Sequence, residues 1–211
     1  MKIIKFDPRS HSISRAADLV LSAYGMNPRR SERTKQTIMT LIETGGNFLG
    51  KENLYIAADN ENIEGLVICY PGKPGGTITA LMRLLLELRL KELFNLIVLN
   101  AELLHTGYTP DVGEDDFYIS LVVVDPRQRG KGLGTELLRK AIELAEEKGS
   151  SRVVLDVDSD NRAAMALYEK LGFTLRDESP KSVNGALPAE IFTMDYQLHS
   201  TAQKTVSRVK A

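Results

Sequence analysis

Two hundred and eleven residues make about one domain, or one domain with a sizeable insertion. Hydrophobic residues at 43% and charged residues at 26% exclude a mainly disordered chain. Lys+Arg at 27 against Asp+Glu at 28 argues against nucleic acid as the main partner.

Lys2–Phe6 reads as a short strand, and the segment from Met1 is too short and too charged for the core of a secretion signal. From Ser10 to Tyr24 the apolar positions Ile13, Ala16, Ala17, Val20 and Leu21 have helical spacing, and Gly25 can end the helix. Ser31 to Thr44 repeats the pattern, with Ser31 as a candidate N-cap and Gly45-Gly46 as the stop. Asn53–Ala58 and Ile63–Tyr70 read as a hairpin. Pro71 to Gly76 is a clear break.

Thr77 to Leu104 is one long leucine-rich helix or two shorter ones. Its longest uncharged run, Leu93 to Ala101, is far below the roughly 20 apolar residues a membrane span needs. The expected chain is therefore soluble and cytoplasmic, with no membrane partner. Phe117 to Val124 reads as a central strand, because Leu121 to Val124 is apolar on both faces. Gly132 to Lys148 is a helix, Arg152–Val157 a strand, and Asn161 to Leu171 a helix stopped by Gly172. Phe173–Arg176 and Ile191–Tyr196 form a closing antiparallel pair, with Asn184-Gly185 in the connection. Residues 199 to 211 read as a polar tail. Cys69 alone can make neither an internal disulfide nor a CxxC site, and His11, His105 and His199 are scattered, so no metal is expected.

The segment Val122-Val123-Val124-Asp125-Pro126-Arg127-Gln128-Arg129-Gly130-Lys131-Gly132-Leu133-Gly134-Thr135 runs strand, turn, helix start. Three alternating glycines there cost helix propensity, roughly 1 kcal/mol each against alanine, which disfavours a purely structural role. Without those side chains the backbone N–H groups at the positive end of the helix are open to a phosphate or pyrophosphate. Arg127, Arg129 and Lys131 add charge around it. A dinucleotide fold would need GxGxxG and a run of βα units. The spacing is GxGxG, and after Asp156 only one helix and a hairpin remain.

Arg129-Gly130-Lys131-Gly132-Leu133-Gly134 resembles the (Gln/Arg)-x-x-Gly-x-(Gly/Ala) motif of the GNAT superfamily of acetyl-CoA-dependent N-acetyltransferases. Asn161-Arg162-Ala163-Ala164-Met165-Ala166-Leu167-Tyr168-Glu169-Lys170-Leu171-Gly172-Phe173 is similar to its N-x-x-A-x-x-L-Y-x-K-x-G-F segment. The match covers about Phe117 to Phe173. The resemblance implies an α/β (α+β) fold whose mixed sheet splays between its fourth and fifth strands, here as one domain over 1–198 with a helical insertion at about 71–116. It implies acetyl-CoA as acyl donor, with the backbone of Val122, Val123 and Val124 pairing with the pantetheine. N–H groups from Arg129, Gly130, Lys131, Gly132, Leu133, Gly134 and Thr135 would hold the pyrophosphate, and Asn161 would contact the cofactor arm. As a packing residue Asn161 would instead cap its helix.

Attack of an amine on a thioester needs a neutral amine, a donor for the oxyanion and a proton for the thiolate. The resemblance assigns that proton to Tyr168, whose alternative role is a half-packed aromatic. The strand Phe117 to Val124 holds no carboxylate, although many relatives carry a glutamate there. Other relatives carry an acid five residues before the asparagine, so the resemblance points to Asp156 as the leading base, with Asp158 and Glu114 behind it, or to an ordered water with no single essential base. The expected function is N-acetyl transfer to a primary amine of a small molecule or peptide. The alternative is a CoA-binding module without turnover. The leucine-rich helix would be buried within the chain or against a second copy in a homodimer.

Overall fold

The computed structural model describes residues 1–26, 32–59, 62–72, 112–176, 181–182 and 190–198. Among the described residues the chain builds one mixed sheet between two helical layers. The helices are α1 (Ile13–Ala23), α2 (Glu32–Thr44), α3 (Leu133–Glu147) and α4 (Arg162–Leu171). The strands are β1 (Lys2–Lys5), β2 (Leu54–Asp59), β3 (Asn62–Pro71), β4 (Asp116–Val124), β5 (Arg152–Asp158), β6 (Thr174–Leu175), β7 (Lys181–Ser182) and β8 (Glu190–Gln197). Their order is β1-β2-β3-β4-β5-β8-β6, with β7 also on β8. All neighbours run antiparallel except β4 and β5, which are parallel. The leucine-rich segment of the expected insertion and the tail beyond 198 lie outside the described residues.

Local chemistry sets the element ends. The first helix begins at Ile13, later than the spacing predicts, because the Ser12 side chain accepts from the N–H of Arg15 and fixes the cap there. Asn161 likewise caps α4 by accepting from the Ala164 N–H. Gly172, at φ 97°, ends α4 in the left-handed conformation that favours glycine.

Two cores flank the sheet. On one face α1 and α2 bury Leu19, Leu21, Ile38 and Ile42 against Leu54, Ile56, Leu66 and Ile68. On the other, α3 buries Leu137, Leu138 and Ala141 against Val67, Phe117, Ile119, Val153 and Leu155, with Phe173 and Met194. Each large side chain so buried contributes about 1.5–3 kcal/mol.

The β3–β4 register slips between Ile68 and Cys69, which face Leu121 and Ile119, so Ser120 is the extra residue of a β-bulge. The bulge reverses the alternation. Ile119 packs in the α3 core, whereas Leu121, two residues on, packs against the α1–α2 core.

The β4–β5 ladder is short. It joins Asp116, Phe117, Tyr118 and Ile119 to Arg152, Val153, Val154 and Leu155 and then stops. Beyond it, Ser120 to Val124 has no partner on β5. The sheet is thus splayed between its fourth and fifth strands, as the family resemblance implies. The closed end of the splay is fastened by charge. Arg152 donates to both oxygens of Asp116, at 2.6 and 3.1 Å, and its other Nη lies 3.7 Å from Asp195. The Gly113 N–H also donates to Asp116. Burial by itself raises the Asp116 pKa. The Arg152 and Gly113 hydrogen bonds and the Arg152 charge outweigh it, so the carboxyl sits below its ordinary value.

Arg152→Ala would leave Asp116 buried without its cation, at a cost of about 3 kcal/mol. Urea unfolding at pH 7 measures that loss. Because the folded Asp116 pKa is depressed, its contribution is present above the unfolded value near 3.9 and fades as pH falls through the folded value. The gap between wild type and Arg152→Ala should therefore narrow only under acid conditions.

Candidate active site

The open end of the splay leads directly into the glycine turn. After Val124 the chain makes a 3-10 turn, Pro126–Gln128, capped by Asp125, whose side chain accepts from the Arg127 N–H. Gly130 and Gly132 follow at φ 77° and 85°. A Cβ at either would meet nothing within 4 Å. These glycines therefore answer to backbone conformation and leave open space beside the turn.

Gly132 is the N-cap of α3 and gives it no side-chain hydrogen bond. The first-turn N–H groups of α3, at Leu133, Gly134 and Thr135, carry the positive end of its dipole without a capping side chain. Gly134 has a different reason to be small. A Cβ there would stand 3.2 Å from Leu167 Cδ2, so glycine lets α4 lie against the first turn of α3. Arg127, Arg129 and Lys131 are exposed around the turn. The Arg129 Nε returns to the Val124 carbonyl at 3.4 Å, and Lys131 donates to Gln128.

The side chains of Val122, Val123 and Val124 serve the cores on both faces of the sheet. Val123 is buried in the α1–α2 core, while Val122 and Val124 pack toward the α3 core. Their backbone pairs with β3 through Val67, Leu66 and Gly65. The edge facing β5 carries no ladder. It is the kind of edge that an extended ligand can join as an added strand.

On the other side of the splay, Asp156 is the first β5 residue past the parallel ladder. Its carboxylate is held from two strands. The Tyr118 hydroxyl donates to Oδ2 and the Thr193 hydroxyl to Oδ1, each at 2.8 Å. These two bonds orient the Asp156 carboxylate. Tyr118 also meets Tyr70 edge to face, with ring centroids 5.7 Å apart. Tyr70 in turn hydrogen-bonds Ser120, and its burial pushes its pKa up to about 12.

The structure does not gather every candidate acid here. Asp158 is the exposed last residue of β5, its pKa raised by partial desolvation and by Asp160. Glu114 is exposed and precedes the closed end of the β4–β5 pair, away from the splay.

Tyr168 follows Leu167 on α4 and packs into the α3-side core, 6.0 Å from the Phe173 ring. Burial raises its pKa to about 12. The phenol is therefore protonated throughout the neutral range. Asn161 spends its oxygen on the helix cap, which leaves its amide N–H groups to donate elsewhere.

A splayed sheet, an uncapped helix start behind a glycine turn, and the α4 motif together fit one family, and the family model decides it. The model of the acetyltransferase (GNAT) family matches residues 39–173, well over half of the chain. The protein belongs to the GNAT acetyltransferase family. Acetyl-CoA is the acyl donor of that family.

A mycothiol acetyltransferase of Kocuria rhizophila is 47% identical over 68 residues, 32% of this chain and 21% of that protein. An N-alpha-acetyltransferase 30 of Xenopus laevis is 44% identical over 61 residues, 29% of this chain and 22% of its own. The chain thus spans about a fifth of the length of these curated relatives. Among solved structures, an N-acetyltransferase from Staphylococcus aureus Mu50 superposes with a TM-score of 0.67 at 17% identity, over 93% of this chain and all of that one. The Escherichia coli ribosomal-protein-S18-alanine N-acetyltransferase superposes at 0.52 and 17% identity, over 95% of both chains. At such identities the structures speak for the fold.

Within this GNAT chain, sequence reasoning missed Tyr118, Thr193, Tyr70 and Ser120. Strand alternation could have put Tyr118 on the face opposite Phe117 and Ile119. The pairing of Asp156 with Thr193 needed the β5–β8 register.

The turn predicts its own mutational cost. Gly130→Ala should destabilise the protein by about 1 kcal/mol through left-handed backbone alone, since the space for a methyl is free. Gly130→Asn should cost less. Comparing the two unfolding midpoints checks the order.

Proposed function

We propose that the protein transfers an acetyl group from acetyl-CoA to a primary amine of a small molecule or peptide, by direct attack of the amine on the thioester. One observation carries the reading. Among the described residues, the edge of β4 past Ile119 has no strand partner on the β5 side and runs straight into a glycine turn and a helix N-terminus with no side-chain cap.

That arrangement fits an extended arm ending in a pyrophosphate. The backbone of Val122 to Val124 would hold the arm as an added strand, and N–H groups between Arg129 and Thr135 would take the pyrophosphate. Asn161 would donate its amide to the arm. Bound acetyl-CoA supplies the activated acyl group.

The remaining chemistry is proton management. An amine at neutral pH is mostly protonated and must lose a proton before it attacks. Asp156, pinned by Tyr118 and Thr193 beside the splay, would accept it directly or through a water. Tyr168 would protonate the departing thiolate. Its raised pKa keeps the phenol loaded with that proton at working pH. The names of mycothiol acetyltransferase and N-alpha-acetyltransferase 30 state different acceptors, and the proposed acceptor class is a primary amine.

A free-thiol assay with acetyl-CoA and a panel of amines tests the reading. Thiol release should depend on the amine. Tyr168→Phe should lower the maximal rate about 100-fold, with CoA affinity within about twofold of wild type. An unchanged rate would remove Tyr168 as the acid. Gly132→Asp should weaken CoA binding at least tenfold by placing a negative charge at the pyrophosphate. Unaltered affinity in a calorimetric titration would refute this placement of the cofactor.

A further inference from the structure

The glycine turn is anchored to α1, an element that the cofactor motifs do not include. Arg15 lies in the first turn of α1, 110 residues before Asp125. Its Nη2 forms an ion pair with Asp125 Oδ2, and its Nε donates to the Ile63 carbonyl at 3.1 Å. One planar guanidinium thus ties the start of β3 to the residue that follows β4.

Asp125 passes the restraint on. Its other carboxylate oxygen, Oδ1, accepts from the Arg127 N–H at 2.9 Å, and its own N–H donates to the Glu64 carbonyl at 2.8 Å. Glu64 then holds Gln128, whose Nε2 donates to Oε1 at 2.8 Å. Two neighbouring residues of β3 and one of α1 therefore fix both ends of the 3-10 turn that precedes Gly130.

Gly130 and Gly132 supply no side chain to restrain the loop, and their left-handed backbone is freely reversible for glycine. A loop of this kind loses affinity by having to be ordered when the ligand arrives, unless it is held beforehand. The Asp125 carboxylate, held below its ordinary pKa by the Arg127 N–H and by Arg15, stays ionised for both bonds.

We infer that Arg15 is a positioning residue for the pyrophosphate turn: it pre-orders the loop through Asp125, and it sets the affinity for CoA without touching it. This rests on the reading of the turn as the CoA site. It makes a claim that direct attraction between Arg15 and phosphate does not make. If Arg15 acts through Asp125, removing Asp125 first should abolish the effect of removing Arg15.

The test is calorimetric titration of the full chain with CoA for wild type, Arg15→Ala, Arg15→Lys, Asp125→Ala, the Arg15→Ala/Asp125→Ala pair and Gly132→Asp. Thermal melts confirm that each is folded at the titration temperature. Arg15→Ala should weaken CoA about tenfold. Arg15→Lys should recover part of the loss, since an ammonium can reach Asp125 but does not offer the two-pronged fork. The pair should bind no more weakly than Asp125→Ala alone. Should Arg15→Ala fail to fold, the Arg15→Lys and Asp125→Ala affinities decide, each predicted to fall below wild type. Wild-type affinity in the Arg15 variants, with Gly132→Asp unable to bind, would overturn the brace and leave the site standing. Full additivity in the pair would also overturn it, in favour of direct attraction. Undiminished binding by Gly132→Asp would overturn the reading of the turn, and the brace with it.

Discussion

The site depends on a ladder that stops early. Parallel pairing between β4 and β5 runs from Asp116 to Ile119 on one strand and from Arg152 to Leu155 on the other. Past that point, among the described residues, β4 pairs with β3 and β5 pairs with β8. An unpaired edge inside a sheet leaves backbone N–H and C=O groups wanting partners, which is costly unless something else meets them. The Asp116–Arg152–Asp195 cluster keeps the closed end shut, so the opening is confined to the other end. The bulge at Ser120 sits at the same point and reverses which side chains of β4 face which core. Splay and bulge together decide which core each β4 side chain joins and where its pairing with β5 ends.

Two kinds of restraint then serve two kinds of chemistry. At the helix start, charge comes from aligned peptide dipoles and open N–H groups, which need space and no side chains. Glycine meets that need, and Asp125, Glu64 and Gln128 hold the loop from behind. Across the splay, the proposed proton transfer would need side chains at fixed angles. Asp156 receives them from Tyr118 on β4 and Thr193 on β8, the two strands that flank its own. Tyr168 packs against Phe173, and its burial raises its pKa.

The sequence was most legible where chemistry is local. The Gly130–Gly134 turn, the α3 stripe of Leu137, Leu138 and Ala141, and the stop at Gly172 are written in adjacent residues, and the structure places each where the pattern put it. The α1 start was misjudged by a turn because Ser10 and Ser12 are equally good caps in isolation, and only Ser12 meets the Arg15 N–H. Contacts between distant segments were not legible. The bulge at Ser120 is a matter of register, and Leu121 to Val124 looks alike on either face. Arg15 and Asp125, or Asp156 and Thr193, become neighbours only when the strands have been aligned. The candidate residues of the turn and of α4 are written in local motif and helix chemistry. The surroundings of Asp156 had to be seen.

The central proposal is that the β4 edge beyond the β5 ladder and the α3 N-terminus form one continuous CoA site. Backbone amide hydrogen exchange with and without CoA tests it most directly, since it reads each N–H separately. The account predicts slowed exchange on the free edge within Val122 to Val124 and again across Gly130 to Thr135, with little change along β1 and β2. Saturating CoA that leaves both segments unprotected, or that protects only residues outside them, would contradict it.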